Sequence, residues 1–362
     1  MNDLLKAREI INKVDTEMAK LFEERMEAAK MVAAYKKEHG LPVDDLSREE
    51  EIIKKNTEKI ERQEYKSYYT SFLRNNIDLS KALQHRLLDG MRVAYSGVKG
   101  AFAEISAKKI FPDANAVSFP DFKAAFEAVQ NGECDCALLP IENSFNGDVG
   151  KVMDLAFFGN LYINGIYDIE INQNLLALKG ATIDGIKKVL SHPQALGQCA
   201  AYIEKHGFDA VESVNTAVAA KEVAEKGDMS VAAIGSAEAA EEFGLKILEA
   251  NINQSNINTT RFAVFSKAQK SASKKDNHFV MFFTVKNAAG SLGRAVSVIG
   301  NHGFNLKALK SRPTKELIWD YYFYAEGEGN INGEEGKAML KELNECCNNI
   351  KIVGNFEKEI RI

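Results

Sequence analysis

Glycine and proline are distributed so unevenly that they divide the chain before any motif is considered. Residues 1–90 hold only Gly40, Pro42 and Gly90, whereas glycine recurs every few residues beyond them. Breaker-poor sequence with helical periodicity reads as long helices. Leu4, Ile10 or Ile11, Val14, Met18, Leu21, Ala28 or Ala29 and Val32 recur at steps of three and four. That stripe predicts one helix from about Asp3 to Lys37, roughly 50 Å long at about 1.5 Å per residue. Gly40-Leu41-Pro42 stops it, Ser47-Arg48-Glu49-Glu50 reads as a capping box opening a second helix, and a third covers roughly Tyr65 to Leu88. Two shorter helices cannot bury so long a stripe. The first 90 residues are therefore expected to form an all-α three-helix unit intertwined with a second chain.

From Met91 the rhythm becomes βα alternation. Arg92–Tyr95, Cys136–Leu139, Val189–Ser191, Val231–Ile234 and Phe262–Phe265 read as strands, with Phe102–Phe111 and Asp121–Asn131 among the helices between them. Such alternation predicts mostly parallel sheets covered by helices, arranged as two lobes around a cleft in the manner of periplasmic binding proteins. The Lys- and Ser-rich stretch Lys267 to Asn277 reads as a linker. Beyond it the expected order is strand Phe279–Lys286, helix Leu292–His302, strands Leu306–Arg312 and Ile318–Ala325, helix Gly333–Cys347 and a strand from Ile350. That βαββαβ order is ferredoxin-like. The domains are accordingly placed at 1–90, 91–268 and 277–362.

The chain has 362 residues, 45% of them apolar and 27% charged, with a formal net charge of -5. No general attraction to nucleic acid or anionic lipid follows, so an anion site must come from locally placed cations. The five cysteines include Cys134-x-Cys136 and adjacent Cys346-Cys347; their odd number and lack of four-ligand zinc spacing predict reduced thiols and no metal. The start of the chain lacks a basic segment followed by an apolar core, and no apolar run approaches the ~18 residues of a membrane span. A cytoplasmic protein is expected.

Three peptides place polar groups at predicted strand ends, where small ligands bind in α/β sheets. They are Asn258-Thr259-Thr260-Arg261-Phe262, Pro140-Ile141-Glu142-Asn143-Ser144 and Ser191-His192-Pro193-Gln194. Together they resemble the signature of prephenate dehydratases over about residues 91–266. The resemblance implies expulsion of the ring hydroxyl and ring carboxylate of prephenate, driven by aromatisation. Thr260 would lie nearest the leaving hydroxyl and Arg261 would anchor a carboxylate. Thr259, Phe262, Glu142, Asn143, Ser191 and Gln198 complete the expected cleft. Gly97-Val98-Lys99-Gly100 would aim backbone donors and a helix start at an anion. Ala101-Phe102-Ala103 stands where the family commonly has hydroxylated residues, and His192, before proline, is not assigned as a base.

Within the first 90 residues, Arg25 and Lys36 lie three helical turns apart on one face, and Ser80 and Gln84 share a face at i and i+4. The set Arg8, Arg25, Lys36, Asp45, Arg48, Glu49, Ser80 and Gln84 is similar in order and spacing to all-α chorismate mutases. That resemblance implies rearrangement of chorismate to prephenate without nucleophile, metal or cofactor. By the same resemblance, guanidinium groups would grip the carboxylates, Arg8 would come from the partner chain, and Lys36 and Gln84 would donate to the breaking ether oxygen. Glu49 and Asp45 would hold the substrate hydroxyl or neighbouring cations.

The C-terminal segment resembles the regulatory ACT domain of prephenate dehydratases. The residues that carry this are Ala289, Gly290, Ser291 and Leu292 with Lys310, Ser311, Arg312 and Pro313; Asn305 and Leu306 join them as expected effector contacts. The implied effector is phenylalanine, enclosed between paired domains, although Lys310 replaces a customary acidic residue and Gly290-Ser291 a customary Gly-Ala. The whole implies a homo-oligomeric, bifunctional chorismate mutase–prephenate dehydratase of phenylalanine biosynthesis. Two alternatives stay open on sequence: a dehydratase acting on arogenate, and a two-lobed small-molecule binding protein with a non-catalytic helical dimerisation domain.

Overall fold

A computed structural model describes residues 3–145, 147–254, 258–314 and 321–362. They form two compact units, one comprising the chain through Arg92 with the short segments Asp113–Asn115 and Gly132–Asp135, the other the remainder. The first unit consists of α1 (Asp3–His39), α2 (Leu46–Thr57) and α3 (Lys66–Asp89). Left-handed Gly40 (φ 63°) ends α1. The N-cap of α2 is Asp45, whose carboxylate accepts from the Arg48 amide, and not the expected Ser47. Ser47 instead donates its hydroxyl to Asp45 at 2.8 Å. Helix α1 buries only Ala29 and Ala33 among its described residues, and its stripe stands open: Ile10 is 65% exposed and Leu21 62%.

The second unit begins with β1 (Arg92–Ser96), α4 (Phe102–Ile110), β2 (Asn115–Phe119), α5 (Phe122–Gln130), β3 (Cys136–Asn143), β4 (Gly147–Asp148), α6 (Gly150–Phe158) and β5 (Tyr162–Glu170). The chain then crosses to a second lobe. There lie β6 (Asn174–Ala177), β7 (Lys188–Ser191), α7 (Pro193–Gln198), α8 (Ala200–His206), β8 (Asp209–Glu212), α9 (Thr216–Lys226), β9 (Val231–Gly235), α10 (Ala237–Glu242) and β10 (Lys246–Glu249). Strand β11 (Thr259–Ser266) returns to the first lobe between β3 and β5. The expected parallel sheets are in fact mixed. Pairs β1–β3, β7–β8 and β7–β9 are parallel, whereas β11 is antiparallel to both neighbours and β6 to β9 and β10. The chain passes between lobes twice, and a strand entered from the other lobe arrives reversed. Fully buried Val189, Ala232 and Ile234 centre one core of the second lobe; Ala219, Val223 and Ala233 centre the other.

The C-terminal segment supplies β12 (His278–Val285), α11 (Ser291–Asn301), β13 (Asn305–Pro313), β14 (Tyr321–Glu328), α12 (Glu334–Cys346), β15 (Cys347–Phe356) and β16 (Ile360–Arg361). The expected strand Ile318–Ala325 overlaps β14, its first three positions lying outside the described residues. The order β13-β14-β12-β15 continues directly into β5-β11-β3-β1-β2, making one sheet of two parts. Gly354 permits the junction. A Cβ there would meet the Ile163 carbonyl oxygen at 2.9 Å and Val280 at 3.3 Å, so a side chain would hold the strands apart. The stretch read as a linker is tied down: the Lys270 amide donates to Asn164 at 2.9 Å and Asp276 accepts from the Ser273 amide at 2.7 Å.

Candidate active sites

In the helical unit Arg25 reaches from α1 to α3. Its Nη1 donates to the Asn76 carbonyl at 2.9 Å and also meets the Ser80 hydroxyl, while burial lowers the guanidinium's pKa. Ser80 and Gln84 are buried on α3, and Gln84 Oε1 has no hydrogen-bond partner. Gln84 Nε2 donates to the Ser80 carbonyl at 3.3 Å, so the end of the amide left without a partner is the accepting oxygen. Lys36 Nζ donates to the Val43 carbonyl at 2.6 Å, folding the α1–α2 connection back onto the helix. Glu49 is held by Lys81, 2.9 Å away, which also pairs with Asp44 at 2.8 Å. Burial opposes the Lys81 charge, but Asp44 and Glu49 outweigh it and raise the ammonium's pKa. Sequence reasoning missed Lys81, although it adjoins Ser80.

Three expected members stand apart. Asp45 is engaged as the α2 cap. Arg48 is exposed and paired with Glu51 at 2.6 Å, one turn along its own helix. Arg8 is exposed and lies 17 residues before Arg25, about 25 Å along α1, too far to join it within one chain.

The second site is a cavity of about 680 Å³ between the two lobes. Asn143, Gln198, Thr260 and Phe262 line it, with Gly97, Phe102, Lys151, Gln173, His192 and Gln194. Strand ends place these groups, and side chains hold them. Asn143 Nδ2 donates to Thr260 Oγ1 at 2.9 Å, so the hydroxyl proton is left to point elsewhere. Gln194 Nε2 donates to Asn143 Oδ1 at 2.9 Å. Buried Asn258 and Gln198 exchange amide bonds at 2.9 and 3.2 Å, and Gln173 adds a third amide at 3.3 Å. Gln173, Gln194 and Asn258 were not selected from sequence as site residues, though two of them lie in the quoted peptides.

Four expected residues do not line this cavity. Ser191 is fully buried and donates to the Ile234 carbonyl at 2.6 Å, which makes it part of the sheet interior. Thr259 donates its amide to Ser144 Oγ at 3.0 Å and leaves the cleft face to Thr260. Arg261 and Glu142 also turn away. Side chains alternate along a strand, so Thr260 and Phe262 share the cleft face and Arg261 cannot. Its guanidinium meets four carboxylates instead: Glu142 at 3.4 Å, Asp168 at 3.2 Å, Glu326 at 2.6 Å and Glu359. Burial disfavours the Arg261 charge, but Glu326 leads a set of acids that raises its pKa. Lys151, at the start of α6, is the one lysine or arginine among the described residues lining the cavity. His192 accepts the Gln194 amide at 3.2 Å as the cap of α7.

The expected effector residues divide by face. Gly290 (φ 81°) opens α11 beside exposed Ala289 and partly buried Ser291 and Leu292, while Asn305 donates to Glu328 at 3.1 Å. Exposure alternates along β13, with Leu306, Lys310 and Arg312 inward and Ser311 and Pro313 outward. Lys310 pairs with Glu142 at 3.1 Å and with Asp148. Arg312 grips Asp154 through Nε at 2.8 Å and Nη2 at 3.0 Å, and Tyr322 donates to the same carboxylate at 2.6 Å. Lys310 and Arg312 thus contact the first lobe of the cleft and are not free to hold an effector.

A helical site of guanidinium and ammonium donors, and a two-lobed cleft of amide and hydroxyl donors, define a two-site protein for small anions. A family model described as chorismate mutase type II matches residues 7–85, and one described as prephenate dehydratase matches residues 93–270. A bifunctional chorismate mutase/prephenate dehydratase of Aquifex aeolicus is 30% identical over 99% of both chains. An arogenate dehydratase/prephenate dehydratase of Arabidopsis thaliana is 34% identical over 74% of this chain and 72% of its own. The solved prephenate dehydratase of Arthrobacter aurescens in complex with L-Phe is 26% identical with a TM-score of 0.69, over 74% of this chain and 90% of that one. The chain belongs to the bifunctional chorismate mutase/prephenate dehydratase family.

Proposed function

We propose that the chain performs two consecutive steps of phenylalanine biosynthesis. Chorismate rearranges to prephenate in the helical unit, and prephenate loses water and carbon dioxide in the cleft. The observation that carries the second step is the Asn143–Thr260 hydrogen bond at the cavity wall. With its oxygen already accepting, the Thr260 hydroxyl directs its proton at the departing ring hydroxyl. As the bond from ring to carboxylate breaks, its electrons enter the ring, the carbon–oxygen bond opens, and hydroxide leaves with a proton as water. Phe102, Phe122, Pro140, Ile171 and Phe262 give the cavity an apolar wall that favours an uncharged phenyl ring over a ring that still carries a carboxylate. Lys151 takes the side-chain carboxylate, whereas the family resemblance had implied Arg261 as the anchor of a carboxylate.

In the helical unit Arg25 and Lys36 hold the two carboxylates and the ether oxygen, and Gln84, whose Nε2 is given to the Ser80 carbonyl, accepts the substrate hydroxyl with its free oxygen. No nucleophile is required, because the shift is concerted and the enzyme's part is to hold a compact dianion and its developing charge. The open stripe of α1 supports a homodimer in which Arg8 of one chain completes the site of the other. An apolar groove lined by Met18, Leu21, Phe22, Ile52 and Phe72 leads to Arg25 and suits the partner's helix.

The domains are assigned as 1–90, 91–268 and 277–362. The last is read as a ferredoxin-like βαββαβ ACT domain for phenylalanine, supported by the strand order β13-β14-β12-β15 and by the L-Phe complex of the Arthrobacter aurescens relative. Its Ala289–Leu292 turn is the effector contact retained after Lys310 and Arg312 are committed elsewhere. A cytoplasmic location is part of the same reading; among the described residues, no helix is long and apolar enough to cross a membrane. Supplying chorismate alone and following its loss together with phenylpyruvate formation tests both steps. Prephenate accumulating without phenylpyruvate removes the dehydratase reading, and persistence of chorismate removes the mutase reading.

A further inference from the structure

The strand pair β3–β11 is two-faced, and its rear face belongs partly to the C-terminal domain. Thr260 stands opposite Asn143 and Arg261 opposite Glu142 in the antiparallel register. One cross-strand pair faces the cavity, and its immediate neighbour faces the opposite side of the sheet. Resting on the dehydratase reading of the cleft, we propose that Glu326 and Lys310 of the C-terminal domain are positioning residues for the dehydration. They act through Arg261 and Glu142 to hold Thr260 and Asn143 at their working distance.

Glu326 is fully buried and satisfied from three directions: Arg261 Nη2 at 2.6 Å, His278 Nε2 at 2.9 Å and the Tyr324 hydroxyl at 2.7 Å. With Glu142, Asp168 and Glu359, carboxylates from β3, β5, β14 and the segment before β16 meet on the Arg261 guanidinium. Lys310 approaches Glu142 from the other side at 3.1 Å and also holds Asp148, which lines the cavity. His278, Glu326 and Glu359 would resemble a metal cluster, with ligand atoms within 4.8 Å of one another, but the Arg261 guanidinium already contacts both carboxylates as their cation. A second grip acts on α6, the helix that carries Lys151. Arg312 binds Asp154 and packs where a Cβ on Gly150 would stand, and Lys351 of β15 donates to the Ala156 and Phe157 carbonyls at 2.8 and 2.9 Å. The C-terminal strands thus hold the cleft from behind, and a donor misplaced by about 1 Å can cost about 10²-fold in rate.

The test is steady-state kinetics on the full chain with prephenate supplied, using Glu326→Gln and Lys310→Gln. Glutamine at 326 keeps bonds to Tyr324 and His278, and Arg261 retains Glu142, Asp168 and Glu359, so no buried cation is left alone. The expected result for each variant is a fall in kcat of about tenfold with KM within about twofold, the signature of lost geometry rather than lost binding. Thermal melting separates this from unfolding; if Glu326→Gln fails to fold, Lys310→Gln carries the test alone. Variants with wild-type kcat, or a loss confined to KM, overturn the inference. A wild-type chain that leaves prephenate untouched removes the dehydratase reading itself, and the inference with it.

Discussion

The two units solve the same problem, gripping a small anion, with opposite amounts of help from their own chain. The second unit encloses its cavity between two lobes and backs it with a continuous sheet. The helical unit spreads its groups along helices that bury little, and α1 leaves Ile10, Ile11 and Leu21 more than half exposed. Its Arg8 lies out of reach of Arg25 in the same chain. A cleft can be complete in one polypeptide, whereas in the proposed homodimer a second copy finishes the site on the uncovered helix face.

The largest effect that could break this contrast is on assembly. Ile10→Glu with Leu21→Glu places charge in the exposed stripe and is expected to abolish chorismate turnover and dissociate the helical unit, read by sedimentation. Dehydration of added prephenate should persist. Equal loss of both steps would mean that the cleft also depends on the helical pairing. A smaller effect sharpens the cleft's own chemistry. Lys151→Met removes its lining cation and is expected to lower kcat/KM for prephenate by about 10- to 100-fold, the worth of one charge-assisted contact. An unchanged value would return the carboxylate to some other group.

Much of this was legible before the structure, and the failures have physical causes. The long helices announced themselves because residues 1–90 lack breakers and keep a 3.6-residue period. The peptides around Asn143 and Thr260 were readable as strand ends. The orientation of Arg261 was also available in principle: consecutive residues on one strand cannot both face a cleft, and Thr260 had been assigned to it. The motif was read as a cluster when the strand makes it a pair of faces. Strand β5 was missed because Asn164, Gly165 and Asp168 interrupt its apolar run, yet β11 and β15 both pair with it. Lys81 was invisible for another reason: its partners Asp44 and Glu49 are brought to it only by helix packing.

Stability offers smaller tests of the same contrast. Asp154→Asn loosens the bidentate hold of Arg312 and is expected to cost the second unit about 2 kcal/mol, roughly 5 °C in its melting temperature. The helical unit's transition should stay in place, and a common shift would show that the two melt together. The mildest expectation concerns acid. Burial opposes the Glu326 charge, but the His278 hydrogen bond and Arg261 outweigh it, holding the carboxyl below its ordinary value of 4.5. A depressed folded value stabilises above pH 4.5 and is lost as pH falls further, so the second unit's melting temperature should drop on that limb. Glu326→Gln should flatten it; an unaltered acid limb would place the sensitivity in other carboxylates.

Crossing two variants with two substrates tests the independence of the pockets most directly. Arg25→Ala should leave chorismate unconsumed while converting added prephenate at the wild-type rate. Thr260→Ala should turn chorismate into prephenate and stop there. If each variant impairs both conversions to the same degree, the chain does not house two separable sites.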